Sequence, residues 1–241
     1  MDIMTNKWIA IFGALWAAIF VIGCTAESEE EKLRAVLKSR LPSAPITSIT
    51  KSKMGLYEVV LNGEIIYTDK SAEYFLGGNL YDVRTDPPRN LTQETQGRAA
   101  AKSLMGMRDS AIKTVRGNGK RVVYTFEDPN CGYCRQLQSE LLKLNDVTVY
   151  TFLTPILSPD SVEKSRAVWC AADRAKAWEQ LMTTGVVPDG PRTCDTPIEK
   201  TLQAMRQLGF RGTPAIYLAN GQSVGGFVPA ARIEAALAAV N

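Results

Sequence analysis

The sequence predicts an α+β protein in two parts, a small N-terminal module of short strands and a larger C-terminal α/β domain. Three observations predict it. The β-branched and aromatic run Arg121–Phe126 leads into Asp128-Pro129-Asn130-Cys131-Gly132-Tyr133-Cys134-Arg135 and has the composition of a buried strand. Behind the cysteines, Cys134, Leu137, Leu141 and Leu144 recur at helical spacing, and Val147–Leu153 supplies the next strand. Upstream, Asp86-Pro87-Pro88-Arg89-Asn90 halts any helix and marks the boundary between the two parts.

Composition narrows the chemistry. With 241 residues, 45% of them hydrophobic and 22% charged, the chain can bury a core in each part. A net charge of +3, without a basic run interleaved with aromatics, does not point to nucleic acid. Histidine is absent. Cys-His and Ser-His catalysis and histidine-based metal sites are thereby excluded, and acid–base work falls to thiols, carboxylates, lysines or water.

The elements follow in order. Lys7 and the apolar stretch Trp8–Gly23 fit a secretory signal, with residues 1–26 removed. From about Glu27 to Leu41, Leu33, Val36, Leu37 and Leu41 form a helical stripe ended by Pro42 and Pro45. Short strands are expected at Ile46–Thr50, Leu56–Leu61, Ile65–Thr68, Tyr74–Leu76 and Leu80–Val83, with Asn62-Gly63 as a hairpin turn. Residues 27–88 thus form a module without a catalytic group. Its exposed strand edges suit association with a second copy, and plain packing is the alternative. Residues 89–116 are expected to form a linker helix, from Thr92 to about Val115, with Leu104, Met107, Ala111 and Val115 on one stripe. The catalytic domain then spans residues 117–241.

Within that domain, Asn130 is expected to cap the helix opened by the cysteines. Ser158-Pro159 starts a helix from Asp160 to about Thr183, and Asp195-Thr196-Pro197 starts another that ends before Gly209. These helices form an insertion. Thr213-Pro214 opens a strand, Asn220-Gly221 turns it into Ser223–Phe227, and Ala230–Val240 closes the domain as a helix.

A Cys-x-x-Cys at a strand-to-helix junction inside a βαβ unit is the thioredoxin-type redox arrangement. The first cysteine meets free backbone N–H groups and the positive end of the helix dipole, which lowers a thiol's pKa. Cys131 is therefore the expected attacking sulfur and Cys134 the resolving one. An inert disulfide and half of a zinc site are the alternatives, and a Cys₄ site would need Cys170 and Cys194, which are not spaced as a pair. Those two cysteines are read as a structural bridge, worth on the order of 3 kcal/mol in the chain-entropy model. In a thioredoxin-like fold Pro214 is expected to be cis and to face the active cysteine. The backbone of Thr213 would then be free to pair with an extended substrate chain. Cys24 stands in Val21-Ile22-Gly23-Cys24, which is similar to a bacterial lipobox. Lipidation of Cys24 after removal of residues 1–23, or its loss by cleavage after Ala26, are both open.

Phe126-x-Asp128-x-x-Cys131-Gly132-Tyr133-Cys134, Trp169-Cys170-Ala171, Cys194-Asp195 and Gly212-Thr213-Pro214-Ala215, in this order, resemble the DsbC family of bacterial periplasmic disulfide isomerases. Ile66-Tyr67-Thr68-Asp69 and Asn79-Leu80-Tyr81-Asp82-Val83 resemble that family's dimerisation domain. The resemblance implies a V-shaped homodimer with cystatin-like N-terminal domains, linker helices and thioredoxin-like arms. It implies Cys131 as nucleophile, Cys134 as resolving thiol, and Gly132, Tyr133, Thr213 and Pro214 facing the client. It also implies a Cys170–Cys194 disulfide, no cofactor and no metal. The expected partners are misfolded disulfide-containing exported proteins and a DsbD-like membrane thiol reductase, and the expected place is the periplasm, with or without a lipid anchor at Cys24. Thr154-Pro155-Ile156-Leu157-Ser158-Pro159 departs from the family's usual sequence. A dimeric holdase chaperone and a client-dedicated thiol reductase are the competing functions.

Overall fold

A computed structural model describes residues 27–61 and 63–240. The expected signal segment, Cys24 and Asn62 lie outside the described residues. Helix α1 (Glu29–Arg40) starts at Ser28, whose side chain accepts from Glu31 N–H while the Glu31 carboxylate accepts from Ser28 N–H, a reciprocal capping box. Its buried Leu33 and Leu37 pack on Tyr57 and Val59. Those residues belong to an antiparallel sheet in the order β1 (Ile46–Lys51), β2 (Tyr57–Leu61), β3 (Glu64–Thr68), β4 (Phe75–Gly77). A short ribbon, β5 (Tyr81–Asp82) with β6 (Arg89–Asn90), ends the module.

Helix α2 (Leu91–Gly106) differs from the expected linker in extent and in role. It ends at Gly106, a single 3-10 turn covers Arg108–Ser110, and Ile112–Arg116 is strand β7. Ala111, which is extended, and Val115 do not continue the helical stripe. Ile112 is buried while Lys113 and Val115 are exposed, the alternation of a half-buried strand. Nor is α2 a free spacer. At its start, Thr92 Oγ1 accepts from Leu80 N–H at 2.7 Å and shares a hydrogen bond with Tyr67 Oη at 2.5 Å. Further along, Ala100 and Leu104 join Tyr124, Phe126 and Phe152 in the core of the larger domain.

That domain holds a five-stranded sheet in the order β11 (Ser223–Gly225), β10 (Ala215–Leu218), β8 (Arg121–Glu127), β9 (Val147–Leu153), β7. Strands β8 and β9 are parallel, joined through α3 (Gly132–Leu141), and the other pairs are antiparallel. Leu137 and Leu141 of α3, with Ile233 and Leu237 of α7 (Ala230–Ala238), cover one face over Val123, Val149 and Ile216. The other face carries Tyr124, Phe126, Phe152 and Tyr217 beneath α2 and α6 (Ile198–Gln207).

The helix expected over 160–183 is two helices, α4 (Pro159–Cys170) and α5 (Arg174–Thr184). Ala171 is extended, and the Asp173 side chain accepts from Lys176 N–H as the cap of α5. An aspartate in mid-pattern therefore restarts the helix instead of riding on it. Cys170, the last residue of α4, is bonded to Cys194 with a Cα–Cα distance of 5.7 Å.

The turn between β10 and β11 meets α2 at two glycines. Gly221 has φ +78°, and a Cβ there would lie 1.8 Å from Gly97 carbonyl oxygen and 2.5 Å from Ala101 nitrogen. Only glycine fits that approach. Gly221→Ala is expected to cost more than about 1 kcal/mol and to loosen α2 from the domain. Chemical denaturation of both proteins checks this, and an unchanged midpoint would refute the close contact.

Candidate active site

Strand β8 ends at Glu127, and the chain turns through Asp128-Pro129-Asn130 into α3. Cys131 N–H donates to Asp128 carbonyl oxygen at 3.0 Å and closes the turn. Cys131 itself is the N-cap of α3, its sulfur accepting from Cys134 N–H at 3.4 Å. Its S–H donates to Thr213 carbonyl oxygen at 3.2 Å. The Thr213–Pro214 peptide bond is cis. Both thiols are free, but they differ in exposure: Cys131 is 6% exposed and Cys134 fully buried.

Asn130 is not the cap expected from its position. The helix starts one residue later, so the sulfur fills the capping place. The Asn130 amide turns instead to α4, donating to Ser158 Oγ, Asp160 Oδ2 and Ser161 Oγ at 2.9–3.1 Å. Its oxygen accepts from Lys164 Nζ at 2.8 Å.

Two buried carboxyls stand at the turn, Glu127, which was not singled out from the sequence, and Asp128, which entered it only as a motif position. Glu127 is fully buried. It accepts from Thr125 Oγ1 at 2.7 Å and from Gln138 Nε2 at 3.0 and 3.1 Å, with no ion-pair partner among the described residues. Burial pushes its carboxyl up to about 7, against the opposing pull of the Thr125 and Gln138 hydrogen bonds. Burial also drives the Cys134 thiol well above the ordinary range, and the charge of the neighbouring Glu127 adds to that effect. The available signal was Thr125 and Glu127 alternating with Tyr124 and Phe126. A central strand of a covered sheet is buried on both faces, so its polar residues are buried with it. The second carboxyl, Asp128, accepts four hydrogen bonds from its surroundings.

A cleft of about 560 Å³ opens beside the cis peptide, lined by Tyr133, Phe210, Gly212, Thr213, Pro214 and Phe227 among others. The Tyr133 and Phe227 rings lie 6.0 Å apart, and Tyr133 is largely exposed. The fold therefore brings Cys131, Cys134, Thr213, Pro214 and Tyr133 to one place, with Gly132 in the first turn of α3. Cys170 and Cys194 pair with each other in the helical insertion, where Trp169 Nε1 donates to Asp195 carbonyl oxygen at 3.1 Å. Chemically, the site offers a sulfur held by backbone N–H, a second buried thiol one turn on, and a carboxyl able to exchange a proton near neutral pH.

Comparison with known proteins agrees with this chemistry. Residues 108–241 match the thioredoxin-like domain family, and residues 24–93 match the disulfide bond isomerase protein N-terminal domain. The chain is 39% identical over 212 residues to a probable thiol:disulfide interchange protein DsbC of Bordetella parapertussis, covering 88% of this chain and 75% of that protein. It is 31% identical over 179 residues to the thiol:disulfide interchange protein DsbC of Escherichia coli, covering 73% of each. A crystal structure of a disulfide interchange protein from Neisseria gonorrhoeae superposes with a TM-score of 0.52 at 43% identity, over 55% of this chain and 96% of that one. The chain belongs to the DsbC family of thiol:disulfide interchange proteins and is a thiol–disulfide oxidoreductase of the disulfide isomerase type.

Proposed function

We propose that this enzyme rearranges wrong disulfides in misfolded exported proteins through Cys131 and Cys134. The observation that carries this is the sulfur of Cys131 acting as the cap of α3 while bonded to the Thr213 carbonyl. As a thiolate, Cys131 attacks one sulfur of a client disulfide, and the client's other sulfur leaves as a thiolate. The new bond is a mixed disulfide. In isomerisation, a client thiolate attacks the client sulfur of that bond and expels Cys131 thiolate, with no net change in oxidation. In the resolving branch, Cys134 attacks Cys131 sulfur and the client sulfur leaves as a thiolate. The client has then gained two electrons and the enzyme pair is oxidised. A membrane thiol reductase of the DsbD type restores the dithiol. The cis-proline loop supports pairing with an extended client through the backbone of Thr213, beside Gly132 and Tyr133.

Cys134 must lose its proton to attack, and no histidine exists to take it. Glu127 carboxylate is the proton acceptor, ionised above about pH 7.

The functional unit is a homodimer joined through the N-terminal modules. Strand β4 is an unpaired sheet edge, and Tyr74, Phe75, Leu76, Tyr81 and Val83 are exposed beside it, a combination that invites pairing with a second copy. The compartment is the oxidising periplasm. There, a lipid on Cys24 or cleavage after Ala26 would be separated by the mass of the mature N-terminus.

Cys131→Ser is expected to abolish recovery of a scrambled multi-disulfide protein, and Cys134→Ser to accumulate a trapped covalent complex. Activity retained in the first variant would remove Cys131 as nucleophile. For Glu127, the folded carboxyl keeps its proton to about pH 7 against an ordinary value of 4.5. The folded state thus binds more protons in that window, and stability present below pH 4.5 is lost as the pH rises through about 7. The loss is on the order of 3 kcal/mol. Glu127→Gln should be more stable than the parent above pH 7, without that slope, and should resolve the mixed disulfide more slowly. An unaltered pH–stability curve would contradict the buried acid. Leu76→Lys is expected to yield monomers by light scattering, and a dimer of unchanged affinity would place the contact elsewhere.

A further inference from the structure

The segment between β9 and α4 is held with unusual firmness for a connection. Thr154 N–H donates to Glu127 carbonyl oxygen at 2.8 Å, and Ser158 caps α4. Between these ends, Asp128 Oδ2 accepts from the consecutive N–H groups of Ile156 and Leu157 at 2.7 and 2.9 Å. Its Oδ1 accepts from Asn130 N–H and from Ser161 Oγ, both at 2.8 Å. Asp128 is fully buried and has no ion-pair partner among the described residues. Removing a carboxyl from water is expensive unless its acceptor sites are filled. Here they are filled by the turn carrying the thiols and by the backbone of Ile156–Leu157.

What that device holds is apolar and faces water. Leu157 is 56% exposed and Ile156 36%. A segment that only connected two elements would gain by hiding these side chains or by being polar. Topology fixes where they stand. Strand β8 carries the thiol turn and lies between β10 and β9. Ala215 is opposite Phe126 on one side, and Leu153 is opposite Glu127 on the other. The Thr213-Pro214 loop that precedes β10 and the Thr154–Ser158 segment that follows β9 therefore flank the turn from opposite sides.

We propose that Ile156 and Leu157, held by Asp128, form a second client-binding lip on the β9 side of Cys131, opposite the cis-proline cleft. Its occupant is an apolar side chain of an unfolded polypeptide whose cysteine lies over Cys131. The lip grips one flank of that cysteine while the cleft of Tyr133, Phe210 and Phe227 grips the other. Between Thr154 and Ser158 stand only Pro155, Ile156 and Leu157, so the lip itself offers apolar area, with the Asp160–Lys164 pair beside it. That suits many unrelated unfolded chains better than one fixed partner, whose docking would be oriented by charge. Asp128 is a positioning residue in this scheme.

This inference rests on Cys131 attacking client disulfides, and the experiment separates the two claims. The full-length chain and its Ile156→Ser/Leu157→Ser variant are compared with scrambled ribonuclease and, separately, with oxidised glutathione, a disulfide without an unfolded chain around it. The expected result is a KM for the scrambled protein raised about three- to tenfold, with kcat retained and glutathione turnover unchanged. Asp128→Asn should raise the same KM and, because Asp128 also holds Asn130 N–H in the thiol turn, should alter glutathione turnover as well. An unchanged KM in the serine variant overturns the lip, as does an equal loss with both substrates. An unchanged KM with slower re-reduction by a membrane thiol reductase overturns it in favour of the redox partner. Failure of the underlying mechanism would look different, because Cys131→Ser would then remain active on scrambled ribonuclease.

Discussion

A helix must find acceptors for its first backbone N–H groups, and in α3 one of those acceptors is the sulfur of Cys131 rather than a side-chain oxygen. That substitution sets the geometry of the whole site. The sulfur has to sit at the helix end, facing the Cys134 N–H, and it then lies within 3.2 Å of the Thr213 carbonyl on the neighbouring loop. Cys134 enters the buried face of the same helix, in the cluster that holds Ile112, Leu153 and Trp178. Both cysteines are buried, Cys131 keeping 6% of its surface exposed and Cys134 none.

Two neighbouring carboxyls at this turn are held from different directions. Glu127 faces the inside, where Thr125 and Gln138 hold it beside the buried thiol. Asp128 faces the loops and joins the turn to the insertion through Ile156, Leu157 and Ser161. Glu127 is the last residue of β8 and Asp128 the first of the turn, so neighbouring acids are held by different parts of the fold.

The domains are joined by a helix that belongs to both. Thr92 ties the start of α2 to the N-terminal module, while Ala100 and Leu104 enter the core of the catalytic domain. The Gly97–Gly221 approach brings α2 against the β10–β11 turn, close behind the strand that begins at the cis peptide.

Much of this was legible before folding was considered. The strand–helix–strand around the two cysteines, the Ser158-Pro159 helix start and the apolar stripes of α1 and α7 all depend on local spacing and capping, which a sequence states directly. Tertiary structure alone decided the rest. Val115 continues a helical stripe on paper, but pairing with β9 made Ile112–Arg116 a strand. Asp173 looks like one polar residue in a long helix, but as a cap it starts a second one. Asn130 lost the capping place to a sulfur one residue later. The depth of Glu127 and the four bonds of Asp128 come from strands and loops distant in the chain. The physical reason is the same throughout: periodicity and capping act within a turn or two, whereas burial and the pairing of polar groups are set by whatever the fold packs against them.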